Sequence, residues 1–257
     1  MVMKKIIYFI FLLLMACNVS NSTEEQNVPE ENDNASMNIL FIGNSITFLN
    51  DMPTILKNMA AASGKNVYVS QWVKGAVMLS YFSQSPYAPD IIFSKKWDYI
   101  ILQDGDYDII FPYEHQRLAG YVNQLKNLIL INNPDTKILF HMLYALKDGW
   151  TSDYIHYDYP ILTQKIIEGT TAFAKLVDVK IAPVGIAWND IVINHPEIWL
   201  YHWDLNHPTY SGSYLMACVY YSTIFGESSL GNSYRGNLFE DDARIIQNTA
   251  SETVLNF

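Results

Sequence analysis

The feature that most restricts the fold of this chain is an alternation, from residue 38 to 225, of short apolar runs with longer stretches of helical spacing. Apolar runs of strand length bounded by turn residues read as buried strands, and a strand–helix–strand succession builds βαβ units on a parallel sheet. Strands are expected at Asn38 to Ile42, Val67 to Val73, Asp98 to Gln103, Lys137 to Leu143 and Lys180 to Val184. Asp51-Met52-Pro53 opens a helix that ends near Ser63 and Gly64, since proline suits a first helical turn and glycine a C-terminus. Further helices are expected over 114–131, 159–176 and 209–225, and the remainder to Phe257 reads as a polar tail with a weak helical pattern. Five parallel strands with right-handed crossovers give a three-layer α/β/α sandwich. In such sheets the working groups lie beyond the carboxyl ends of the strands, so a site should show itself as polar residues immediately after strands.

With half of its 257 residues apolar, the chain can bury one sizeable core, and residues 37–257 are assigned to one domain. What precedes it has a different character. Lys4 and Lys5 are followed by an apolar run from Ile6 to Met15, too short to span a bilayer and suited to the core of a signal peptide. The run ends in Leu14-Met15-Ala16-Cys17, which resembles the lipobox of bacterial lipoproteins. That resemblance implies removal of residues 1–16, lipidation of Cys17 and anchoring to the bacterial cell envelope. Residues 17–36, rich in Asn, Ser, Glu and Asp, bury too little to fold and read as a tether. Cys218 stands in an apolar stretch and is expected in the core, leaving no disulfide. A net charge of -10 argues against nucleic acid as a partner. Membrane contact is expected only through the N-terminal lipid, and the sequence is silent on oligomeric state.

Two segments carry chemistry. Directly after the first strand, Gly43-Asn44-Ser45 places a serine on a strand-to-helix turn, where helix N–H groups can stabilise negative charge on an attacked carbonyl. The tripeptide by itself also reads as a capped turn. At the far end, Asp204-Leu205-Asn206-His207-Pro208 precedes the last long helix. Asp and His three apart on a tight loop let the carboxylate accept from one imidazole nitrogen and turn the other toward a serine.

Phe41-Ile42-Gly43-Asn44-Ser45 and Asp204-Leu205-Asn206-His207-Pro208, separated by five expected strands, together resemble the first and last motif blocks of SGNH (GDSL-like) hydrolases. The resemblance implies a flavodoxin-like fold and hydrolysis of esters such as lipids or acetylated carbohydrates. It implies Ser45 as nucleophile, His207 as base and Asp204 as third triad member, with the Ser45 N–H in the oxyanion hole. The family's second block is a glycine after the second strand, a place held here by Gly75. The third block departs: Gly, any residue, Asn and Asp become Gln103-Asp104-Gly105-Asp106, so the asparagine that would donate to the oxyanion is Gly105. Gln103 is the candidate replacement donor. Loss of such a donor costs roughly a hundred- to a thousandfold in rate.

Competing readings are weaker. Asp104, Asp106 and Asp108 alternate as in a calcium loop, but Ile109 and His115 stand where that loop needs glycine and glutamate. His202, Asp204 and His207 could ligate zinc, yet the triad accounts for two of them and for Ser45 as well. His115, His141, His156 and His195 read as ordinary structural or surface residues. No metal and no cofactor is expected. Trp199, Tyr201 and Trp203 lie beside the catalytic loop and could stack on sugar rings, or serve as core and rim. The resulting expectation is a serine esterase acting on a small acyl ester, acetyl by preference and borne by a carbohydrate. The rivals are a lipase or thioesterase using the same triad, and a glycan-binding protein with weakened catalysis.

Overall fold

The computed structural model describes residues 35–105 and 107–257. The signal segment 1–16, Cys17, residues 17–34 of the tether and Asp106 lie outside the described residues. Ser36, placed in the tether, is already tied to the domain, donating its N–H and its hydroxyl to the Asn66 carbonyl at 2.9 and 2.7 Å.

The first strand, β1 (Met37–Gly43), leads through the short helix α1 (Ser45–Phe48) into α2 (Met52–Ala62) and strand β2 (Val67–Val73). Two short helices, α3 (Leu79–Ser83) and α4 (Ala88–Phe93), precede β3 (Tyr99–Leu102). Then follow α5 (His115–Asn132), β4 (Lys137–His141), and a hairpin of β5 (Trp150–Ser152) and β6 (Ile155–Tyr157). The chain continues with α6 (Tyr159–Val177), β7 (Lys180–Ala182), α7 (Val184–Asn194), α8 (Tyr210–Phe225) and α9 (Glu240–Asn256).

Strands β2-β1-β3-β4-β7 form a parallel five-stranded sheet in that order, with β1 at its second position and helices between successive strands. The middle of the sheet reads as continuous apolar sequence because both faces are covered: Ile39, Leu40, Phe41 and Ile42 are buried, as are Ile100, Ile101 and Leu102. The expected five strands are present with ends shifted by one or two residues, and Leu143 and Val184 fall beyond their strands. Cys218 is buried and free on α8, as expected. The weak helical pattern of the polar tail is a full helix over residues 240–256, which buries Ala243, Ile246, Gln247 and Ala250. Its acidic first turn, Glu240-Asp241-Asp242, favours a helix N-terminus.

Candidate active site

β1 ends at Gly43 and the chain turns at once into α1, with Asn44 as its N-cap: the Asn44 side-chain oxygen accepts from the Ile46 N–H at 3.1 Å. Ser45 is thereby held half-buried at the carboxyl edge of the sheet. The Asp204–His207 loop reaches the same edge between β7 and α8. His207 Nε2 lies 2.9 Å from Ser45 Oγ, and His207 Nδ1 lies 2.6 Å from Asp204 Oδ2. A carboxylate can only accept, so the Nδ1 atom carries the proton and Nε2 presents its lone pair to the serine hydroxyl. Ser45, His207 and Asp204 are brought together as the sequence spacing predicts.

The loop owes its shape to local bonds. Asp204 Oδ1 accepts from the backbone N–H of His207 at 2.9 Å and of Asn206 at 3.1 Å, and Leu205 between them is left-handed (φ 59°). Burial alone would raise the Asp204 pKa, but the bond from the His207 ring and the two backbone N–H groups outweigh it and hold the carboxyl down at about 2. Asp204 thus stays ionised and orients the ring. Behind the loop stands an aromatic wall. Tyr144 stacks on Trp188 at 3.6 Å, Tyr201 meets Trp188 edge-on at 5.2 Å, and the Tyr144 hydroxyl donates to the Asn206 carbonyl at 2.9 Å. Tyr201 is thus core, whereas Trp203 is open to solvent.

One residue that sequence reasoning missed joins the Ser45 segment to the His207 loop. Asn50, left-handed at φ 56°, donates its side-chain amide to the Pro208 carbonyl at 3.0 Å and to Ser213 Oγ at 2.9 Å. It links the segment after Ser45 to the residue after His207. Asparagine tolerates the left-handed region better than other side chains, which is the only local signal it gives.

The oxyanion side differs from expectation. Gln103 is buried at 1 % exposure, and its side-chain oxygen accepts from the Asn44 backbone N–H at 2.8 Å and from Thr47 Oγ1 at 2.9 Å. A backbone N–H only donates, so the atom of Gln103 that faces the nucleophile turn is its oxygen. Its nitrogen points the other way, to the Asp104 carbonyl at 2.6 Å. The reading of Gln103 as a replacement oxyanion donor is therefore corrected: the side chain secures the turn from beneath. Gly43 must be glycine for this, because a Cβ there would stand 2.5 Å from Gln103 Oε1 and 2.6 Å from Thr47 Oγ1.

Gly105 shows what became of the missing side chain. A Cβ on Gly105 would lie 2.3 Å from Asn44 Nδ2, so the Asn44 amide fills the space into which a residue-105 side chain would project. That amide donates to the Val77 carbonyl at 3.0 Å, and Asp104 Oδ1 accepts from the Leu79 and Gly105 N–H groups at 3.2 and 2.9 Å. Asn44 and Asp104 together fix the 74–79 loop, which is also held by the Lys74 N–H on the Gly43 carbonyl. Gly75 lies in this loop, exposed and beside Phe48, and the left-handed residue is its neighbour Ala76 (φ 57°). Of the aspartate run, Asp104 serves this loop and Asp108 pairs with Arg117 at 2.6 Å.

No family model and no curated protein sequence matches the chain. Solved structures do. A DUF4886 family protein from Bacteroides uniformis superposes with a TM-score of 0.75 at 18 % identity, covering 85 % of this chain and 95 % of its own. A candidate SGNH hydrolase from Slackia heliotrinireducens gives 0.60 at 19 %, covering 74 % and 100 %. An acetyl xylan esterase gives 0.57 at 14 %, covering 73 % and 100 %. The chain has the fold of the SGNH hydrolases.

Proposed function

We propose that this chain is a serine esterase that cleaves a small acyl ester, acetyl by preference, through an acyl-enzyme. The observation that carries the reading is the unbroken chain of Ser45 Oγ, His207 and Asp204 at 2.9 and 2.6 Å. Ser45 attacks the ester carbonyl while His207 Nε2 takes the hydroxyl proton. The tetrahedral oxyanion is met by backbone N–H groups, for which Ser45 and Gly75 are the candidates. His207 then gives the proton to the departing alcohol, the acyl group stays on Ser45, and a water molecule activated by His207 releases it as the acid.

The acyl group is taken to be small and the alcohol a carbohydrate because acetyl xylan esterases share the fold and because the charge of -10 disfavours strongly anionic polymers. We place the enzyme at the bacterial envelope, tethered through a lipid on Cys17, on the strength of residues 4–17 of the sequence. The test is covalent labelling with a small fluorophosphonate followed by peptide mass spectrometry. One adduct on Ser45, lost in His207→Ala, is expected; absence of an adduct from folded wild-type protein contradicts the nucleophile.

A further inference from the structure

We infer that the groove between Gly105, Trp150 and Asn206 is the subsite for the alcohol half of the ester, and that it takes a single neutral, hydroxyl-rich ring of pyranose size. The inference rests on the esterase reading and adds the part of the substrate that the triad does not touch. A groove of about 300 Å³ opens beside Asp204, walled by Tyr107 and Trp150 and edged by Asp148 and Asn206. Its Gly105 end adjoins the Asn44 amide, which fills the space a residue-105 side chain would take, one residue from Ser45. The groove therefore runs from Gly105 and the Asp204–Asn206 segment to the β5–β6 hairpin.

Three features select the ligand. The first is a rigid aromatic platform: Trp150 is packed against Tyr107, Phe111 and Tyr157 with ring centres 5.6, 6.0 and 6.2 Å away. An indole fixed in this way offers an apolar face to the C–H groups of a sugar without losing side-chain freedom on binding. The second is fixed distance to the chemistry, since the Lys147 N–H bonds the Leu205 carbonyl at 3.2 Å and so joins the hairpin's base to the catalytic loop. The third is charge. Asp148 and Asp204 line the groove, while the nearby ammonium of Lys147 lies over the rings of Trp199 and Tyr159 at 5.6 and 5.7 Å. Carboxylates accept from hydroxyls and repel acids, so a neutral ring fits and a uronate or phosphorylated sugar does not. The volume is at the lower end for a ligand site, and its polar edge does not suit a long acyl chain.

The test compares acetate release from three esters by the purified protein: ethyl acetate, whose alcohol cannot fill the groove, an O-acetylated methyl glucopyranoside, and the corresponding acetylated glucuronide. Trp150→Ala is expected to lower kcat/KM on the acetylated glucopyranoside by about tenfold or more, chiefly through KM, and to leave ethyl acetate within about twofold. Asp148→Asn is expected to narrow the gap between glucopyranoside and glucuronide without loss of folding, which keeps the test valid if removal of Trp150 disturbs the hairpin. Equal losses on ethyl acetate and sugar ester, or a glucuronide turned over as fast as the neutral ester by wild type, would overturn the inference. Failure of the esterase reading looks different: wild type then releases acetate from none of the three. In that case binding is read directly, and the absence of Trp150-dependent fluorescence quenching by methyl glucopyranoside on Ser45→Ala overturns the subsite as well.

Discussion

The two sides of the candidate active site are built by opposite means. On the acid–base side, Asp204 makes all three of its bonds to residues within its own loop, two to backbone N–H groups and one to the His207 ring. On the oxyanion side, short-range bonds shape the turns but the bonds that join them span long stretches of chain: Gln103 to Asn44 and Thr47, Asp104 to Leu79, Asn44 to Val77. A local motif carries its geometry with it wherever the loop is placed. A network of distant partners exists only once the sheet has brought β1, β2 and β3 into register.

That contrast explains what could be read from the sequence. The spacing of Asp204 and His207 and the position of Ser45 after the first strand were enough to single out three residues that the fold brings within hydrogen-bond distance, because both are short-range patterns. The direction of the Gln103 amide was not legible. It depends on which group of another strand's turn it meets, and the meeting of an N–H made it an acceptor. The exchange between Asn44 and Gly105 is hidden for the same reason, as the two positions are adjacent only in space. The β5–β6 hairpin also gives no usable signal, its strands being three residues each, too short for a period to show. Helix α7 is not expected from the sequence because the fifth strand reads on through Val184, and among the apolar residues of this stretch only Pro183, at the helix N-cap, marks the division.

Perturbing each side separately sharpens the comparison. The largest effect is expected from Asp204→Asn, which keeps the loop's shape but can leave the wrong His207 nitrogen protonated; the rate should fall by about 10³- to 10⁴-fold with little change in stability. A loss below about tenfold would mean that the loop's backbone, and not the carboxylate, sets the tautomer.

Gln103→Leu should do the reverse and act first on stability. It strips the Asn44 N–H and the Thr47 hydroxyl of their buried acceptor. Unfolding in urea should show a loss of about 3 kcal/mol, with activity falling only as far as the nucleophile turn loosens. Unchanged stability together with a hundredfold loss of rate would return Gln103 to the role of oxyanion donor.

The smallest effect is in pH. His141 is sealed beneath the oxyanion side, bonded to Tyr220 at 2.6 Å, and burial holds its pKa down at about 3 against an ordinary 6.5. The unfolded chain therefore takes up a proton that the folded one refuses, and stability falls as the pH drops from about 6.5 toward 3. Asp204, depressed from 3.8 to about 2, loses its contribution as the pH falls through that interval. Unfolding free energies from urea titrations at pH 7 and 4.5 should differ by about 2 kcal/mol in wild type and by less in His141→Gln. An equal pH dependence in both proteins would locate the acid sensitivity elsewhere.

The central claim is that Ser45 and His207 act as one nucleophilic unit, and it is tested most directly by steady-state hydrolysis of 4-nitrophenyl acetate with the domain from Met37 onward. Turnover by wild type that falls by about 10³-fold or more in Ser45→Ala, in His207→Ala and in the double variant alike is the expected result. Turnover that survives either single substitution in folded protein, or losses that multiply in the double variant, would contradict it.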